Sequence, residues 1–354
     1  MLNSYSEWAE FLGRNEISVD QHAIRQHLRN KRILITGAGG SIGSALAKHC
    51  AQLGIESLVL LDIAERGIYE LENDLARSSM PQSFIVGDIC DSALLNEVCT
   101  THQPQIIFHA AACKHVPLME RNPFTAVRAN AVGTHLIAQA AARHKSEQLI
   151  LLSTDKAVDA SSIMGAAKRI AERIILANTS RTQMKAVRLG NVLGSSGSVV
   201  PLFLRQIAAG GPVTVTHPEA TRYFITMDEA VWLLLSAILL PDNAAVFVSD
   251  GGKPRGIEEL ARFLMKRMNA DCIVQFTQLR AGEKLHEQMI AATESSSNTT
   301  LDHFRRIDGP HVSTENIEST MDAISQALQQ RNLENLLHAI HSEIHSTEFA
   351  GREP

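Results

Sequence analysis

The chain has 354 residues, 45% of them hydrophobic, with 33 basic against 38 acidic residues and a net charge of −5. That is enough apolar chain for a substantial core, and with no long single-sign charge run neither nucleic acid nor an anionic membrane is an expected partner. The five cysteines (Cys50, Cys90, Cys99, Cys113, Cys272) are scattered without CxxC spacing and the 15 histidines form no HExxH pair, which argues against disulfides and any metal site and suits a reducing compartment. The opening MLNSYSEWAEFLGRNE lacks the basic-then-apolar pattern of a signal peptide. The longest oily stretch, AVWLLLSAILLP, is about twelve residues, too short to span a bilayer, and reads as a buried helix. The expected location is the cytoplasm.

In chain order, residues 1–30 read as a helical extension. From Lys31 the runs RILIT, SLVLLD, SFIVGD, QIIFHAA, QLILLST and KAVRLGN alternate with helical segments. Alternation of this kind predicts an α/β fold with a Rossmann-type doubly wound parallel sheet over 31–190, its strands near-continuously apolar because both faces are covered. A further strand is expected near 245–250, in AVFVSDGG. Residues 191–310 are richer in glycine, serine and proline and read mainly as a smaller substrate-binding lobe; ATESSSNTT within them reads as a mobile surface loop. Residues 311–354 read as a helical region without a site signature.

The first run leads into GAGGSIG. Gly37 permits the tight turn, Gly40 the approach of main chain to a pyrophosphate and Gly43 the packing of helix on strand, while a helix N-terminus at Ser41 and Ile42 supplies free N–H groups. Any tight strand-to-helix turn can carry glycines, so context decides. Asp62, ending the second run about twenty residues on, stands where an acid bridges the adenosine ribose hydroxyls and favours NAD, while nearby Arg66 leaves NADP open. Asp88 and Ile89 follow the third run; Asp88 could accept from an adenine amino group or simply cap the next helix. After the fourth run, Ala110 and Ala111 let backbone pass close to a cofactor, and Lys114 reads either as a phosphate neutraliser or as a solvated lysine. Asn130, inside a helical stretch, reads as a structural amide bonding main chain. The fifth run ends in Ser153, Thr154, Asp155 and Lys156, followed by MGAAK, whose spacing puts Met164 and Lys168 on one helix face. A hydroxyl, an acid and two amines near the expected nicotinamide position exceed what a binding fold needs.

The ordered motifs GAGGSIG, HAAACKHVPLME, STDKAV with MGAAK, VRLGNVLGSSGSVVPLF, HPEATRYF and LRAGEKLHE together resemble the nucleotide-sugar 4,6-dehydratases of the extended short-chain dehydrogenase/reductase superfamily. The similarity runs over roughly residues 15–310 and is strongest to the UDP-N-acetylglucosamine 4,6-dehydratases of bacterial surface-glycan pathways. It implies bound NAD, a UDP-sugar substrate and a homo-oligomer formed through helices beside the fourth and fifth runs. It also implies a reaction: a 4-keto-6-deoxy hexosamine made by internal hydride transfer and loss of water. Asp155 becomes the acid on the leaving hydroxyl and Lys156 the base at carbon 5, a duty expected to need a pKa lowered toward neutrality. Lys168 becomes the partner of the nicotinamide ribose, and Thr154 orients the sugar hydroxyl. Met164 stands where the superfamily carries a tyrosine and cannot take a proton. For the UDP portion the resemblance assigns Asn191, Arg222 and Arg280 to the diphosphate, Glu283 to the uridine ribose, and Val200, Pro201 and Leu202 to the base. Two other readings share the fold: a UDP-sugar 4- or 5-epimerase, and a catalytically silent NAD-binding scaffold.

Overall fold

The computed structural model describes residues 5–249 and 252–349. The six expected runs form strands β1 (Arg32–Thr36), β2 (Ser57–Asp62), β3 (Gln82–Val86), β4 (Ile106–His109), β5 (Gln148–Thr154) and β6 (Gln183–Leu189). They lie parallel in the order β3-β2-β1-β4-β5-β6, and the expected Ala245–Ser249 strand extends the sheet in parallel beyond β6. Two further strands close that edge antiparallel, Phe304–Asp308 and then Ser295–Asn298, making nine in all.

The outermost strand corrects one expectation. Residues 295–298 were expected within a mobile loop, yet they pair with Phe304–Asp308. An edge strand bonds on one side only and needs no apolar face, and three of these four residues are exposed, so the polar composition concealed it.

Helices cover both faces of the sheet. One apolar layer joins the Gly133–Arg143 and Ile163–Leu176 helices to β4, β5 and β6, and the other joins the Ser41–Cys50 and Met227–Ser236 helices to the opposite face. The Met227–Ser236 helix is the buried helix expected of the oily stretch, started by a Thr226–Glu229 capping box. A third core lies in the lobe, where Val200, Phe203, Val213, Val215 and Leu260 surround Trp8 and Phe11 from the Tyr5–Leu12 helix. The first helix is thus part of the lobe's core. The C-terminal helices Thr314–Gln330 and Leu333–Phe349 pack on each other and on the Ile163–Leu176 helix. Among the described residues, no helix is long and apolar enough to cross a membrane.

Because β1 lies between β2 and β4, chain connections leave it in opposite directions and open a crevice beyond the carboxyl ends of β1 and β4. The candidates Gly37, Asp62, Ala110 and Asp155 lie at or just after the carboxyl ends of β1, β2, β4 and β5.

Candidate active site

The nucleotide end of the crevice is shaped by backbone contact. Gly37 has φ +71°, and a Cβ there would lie 2.4 Å from the Ala111 nitrogen, so the turn after β1 touches the main chain after β4. A Cβ at Gly43 would lie 2.0 Å from the Gly37 carbonyl oxygen, which fixes how closely the helix begins. No side chain caps the Ser41–Cys50 helix; its first N–H groups are left for a ligand, and the glycine cradle fits a dinucleotide pyrophosphate. Asp62 accepts from the Gly39 and Ala64 amides at 2.9 Å each, which places its carboxylate beside the glycine turn. Arg66 is exposed and paired with Glu70 at 2.7 Å. Asp88 accepts from the Cys90 amide at 2.8 Å and from Arg128 at 2.6 Å; burial pushes its pKa up, but these two donors hold it below the usual carboxylate range. The Ile89 side chain is buried against Gly133. Ala110 donates to the Thr36 carbonyl at 2.9 Å, and the Asn130 amide clamps both backbone groups of Cys113 at 2.8 and 2.9 Å, the structural duty expected of it.

A serine-rich loop of the lobe crosses this end. The Ser196 amide donates to Ser41 Oγ at 2.9 Å, Lys114 Nζ reaches Ser195 Oγ at 3.5 Å, and Gly197, with φ +68°, passes so close to His115 that a Cβ would lie 2.6 Å from the ring.

The chemical end is built on the end of β5. Asp155 is wholly buried; its Oδ1 accepts from Thr154 Oγ1 at 2.8 Å and from Lys156 Nζ at 2.9 Å, while its Oδ2 is buried without a partner. Lys156 Nζ also donates to Asn191 Oδ1 at 3.0 Å and lies 3.6 Å from Glu287 Oε1. Burial pulls the Lys156 pKa down, but Asp155 and Glu287 outweigh it and raise it above the ordinary lysine value. This corrects the expectation of a lowered Lys156 pKa: two adjacent carboxylates favour the ammonium more than partial desolvation disfavours it. The depressed lysine is Lys168, buried and pulled down to about 8 by desolvation against a weaker opposing pull from Glu172; its Nζ donates to the Leu152 carbonyl of β5 at 2.6 Å. Met164 is buried in an apolar cluster with Val116, Met119 and Ala126.

The residues expected to hold UDP divide. Asn191 meets Lys156. Arg222 is buried and spends its guanidinium on the carbonyls of Thr221, Lys284 and Leu285 at 2.7, 2.8 and 3.1 Å, its Nε lying 3.8 Å from Glu287. Arg280 is exposed and bonds Glu283, which in turn accepts from the Arg280 amide at 3.1 Å. Val200 is committed to the lobe core, Pro201 is half-buried and Leu202 is exposed. Glu287 was not singled out in sequence; it lies four residues beyond Glu283 in LRAGEKLHE, and an acid repeated at that interval was the one available signal. The buried cluster behind β5 was also missed. Arg188 bonds Glu172 at 2.8 Å twice and Glu294 at 2.7 and 2.8 Å, Arg169 joins both acids, and Ser153 donates to Glu172 at 2.7 Å.

Residues 33–308 match the family model described as "Polysaccharide biosynthesis protein". The chain belongs to that family. This family member is 42% identical over 297 residues to the capsular polysaccharide biosynthesis protein CapD of Staphylococcus aureus, an alignment covering 81% of this chain and 50% of CapD, so the chain spans about half of CapD's length. It is 32% identical over 289 residues to a UDP-glucose 4-epimerase of Rickettsia rickettsii, covering 78% of this chain and 83% of that one. Among solved structures, its fold is similar to that of DesIV from Streptomyces venezuelae, a dTDP-glucose 4,6-dehydratase with NAD bound. That superposition has a TM-score of 0.69 and 19% identity and covers 83% of this chain and 98% of DesIV. The fold of this family member is that of the extended short-chain dehydrogenases/reductases.

Proposed function

We propose that this family member is a nucleotide-sugar 4,6-dehydratase acting on UDP-N-acetylglucosamine, with NAD held on the Gly37–Gly43 turn and Asp62. The observation that carries the reading is the end of β5, where Asp155 and Lys156 stand side by side, one with a buried unpartnered oxygen and the other with its side chain 22% exposed. The chemistry that bound NAD supplies is removal of hydride from carbon 4 of the hexose and its return at carbon 6. The chain's residues do the rest. Lys156 must first give up the ammonium proton that Asp155 and Glu287 hold on it; as free amine it takes the proton from carbon 5 that the new ketone has made acidic and returns it there when hydride reaches carbon 6. Asp155 takes the proton of the 4-hydroxyl through Thr154 Oγ1, 2.8 Å away, as hydride leaves carbon 4, and gives it to the departing 6-hydroxyl, which leaves as water. Thr154 orients the sugar hydroxyl, and Lys168, already depressed by burial, meets the nicotinamide ribose.

Other parts of the reading rest on the same placement. Arg66 faces solvent on Glu70 and Asp62 sits at the turn, which favours NAD over NADP. The exposed Arg280, paired with the mostly buried Glu283 side chain, would part from it for a diphosphate and a ribose. Arg222 supports that segment through its carbonyls. Residues 31–190 with the 245–249 strand would hold the dinucleotide, and 191–310 the UDP-sugar. The protein would work as a cytoplasmic homo-oligomer in surface polysaccharide synthesis.

A 4-epimerase is the second reading, favoured by the Rickettsia relative. An epimerase has no leaving hydroxyl to protonate, and the unpartnered Asp155 oxygen supports the reading in which there is one. Incubation with UDP-N-acetylglucosamine, followed by mass spectrometry of the sugar, is expected to show loss of one water. An isomer of unchanged mass, resolved from the substrate by proton NMR, supports the epimerase instead, and recovery of the substrate alone supports the silent scaffold. Lys156→Met is expected to abolish water loss while dinucleotide stays bound; full turnover by that variant removes Lys156 from the chemistry.

A further inference from the structure

Glu287 stands opposite Lys156 on a segment whose backbone is fastened on both sides. Upstream, the Thr221 amide and Arg222 hold the Lys284 and Leu285 carbonyls, and Lys284 Nζ donates to the Val158 carbonyl at 2.5 Å. Downstream, Arg188 donates to the Met289 carbonyl at 3.0 Å and grips Glu294. The Glu287 side chain is 3% exposed, and its Oε2 is buried without a partner. A carboxylate so enclosed is costly unless a cation compensates it. Two cations face it: Lys156 at 3.6 Å, and Arg222 at 3.8 Å, most of whose donors are already spent on carbonyls.

We propose that Glu287 is a positioning residue for the candidate base: it holds the Lys156 amine at the end of β5 and sets the pH at which that amine gives up its proton. The proposal deepens the dehydratase reading and rests on it for the duty of Lys156. The charged groups facing Lys156 are Asp155 from its own turn, Glu287 from the 284–291 segment and Arg222 from the Thr221–Arg222 strand. Glu287→Gln keeps the shape and removes one of the two attractive charges. The ammonium is then held by Asp155 alone against Arg222, so its pKa falls.

The test is carbon NMR of the purified protein carrying lysine labelled at Cε, titrated without any sugar, with Lys156→Met assigning the resonance. Lys156 is expected to remain ammonium to higher pH in wild type than in Glu287→Gln, with Glu287→Asp between them. Equal protonation of Lys156 in wild type and Glu287→Gln, with the other lysine resonances native, overturns the proposal. The outcome is read on the protein alone, so failure of the wild type to release water from the sugar would count against the dehydratase reading and leave this result standing. Where water is released, the acidic limb of kcat/KM is expected to move to lower pH in Glu287→Gln by the same shift. A merely structural loss would lower the rate at every pH without moving that limb.

Discussion

Lys156 and Lys168 both serve the end of β5, and their surroundings push them in opposite directions. Lys156 has two carboxylates within reach and is held as ammonium; Lys168 is buried with its amine on a carbonyl, and burial brings it down to about 8. Since the Lys168 pKa is lower folded than unfolded, the unfolded chain binds more protons between about pH 8 and 10.5, and stability rises with pH across that window. Lys185, also drawn down to about 8 by burial, contributes in the same sense. Lys168→Met is therefore expected to reduce the rise in unfolding free energy between pH 8 and 10.5, with Lys185 sustaining the remainder. Urea unfolding at pH 7, 9 and 10 checks it, and an unaltered rise would show that Lys168 is not depressed. Asp155 and Lys156 were legible in sequence because they are adjacent residues at the end of an apolar run. The direction of the Lys156 shift was not, because after Asp155 part of it comes from Glu287, which is distant in sequence and joins the site only when the chain folds.

Among the elements, β5 and β6 owe their alignment to more than the ladder between them. The cluster Arg188, Glu172, Glu294 and Arg169 ties β6, the Ile163–Leu176 helix and the segment after Glu287 into one buried unit. Burial alone would raise the Glu294 carboxyl, but Arg188 and then Arg169 bring it down to about 2. Its folded value lies below its unfolded one, so its contribution is full above about pH 4.5 and is lost as pH falls toward 2. Glu294→Gln is expected to cost about 3–5 kcal/mol at pH 7, the usual loss on breaking a buried pair, and the gap from wild type should narrow below pH 4.5. Denaturant unfolding at pH 7 and pH 3 reads both; a gap that is constant with pH would sink the assignment. Strands β1 to β6 were readable because burial on both faces leaves a continuous apolar run. The Ser295–Asn298 strand was not, since a one-sided edge imposes no such pattern, and the ion cluster left no trace because its members come from distant stretches of chain.

At the level of the whole molecule, the C-terminal region that carried no signature proves to be structural. Ile317, Met321, Ile324, Leu336 and Ile340 are buried in the same core as Ala167, Ile170 and Ile174 of the helix bearing Lys168. The helices expected to meet a second copy are therefore covered in part by this chain's own C-terminal pair. Removal of residues 312–354 should strip that cover and lower Tm by about 10 °C or more, given the apolar area exposed. Differential scanning calorimetry decides it, and a Tm within a degree of the full chain would show that the pair is dispensable. The strap formed by Ser195, Ser196 and Gly197 has a kinetic implication. It runs from the lobe across the start of the Ser41–Cys50 helix and fastens there through a backbone amide. For a cofactor held at that helix start, the Ser196–Ser41 contact would slow departure while it lasts. Under the proposed chemistry the dinucleotide finishes each cycle in the oxidation state in which it began, so confinement costs such a catalyst nothing and spares it recharging from a cellular pool.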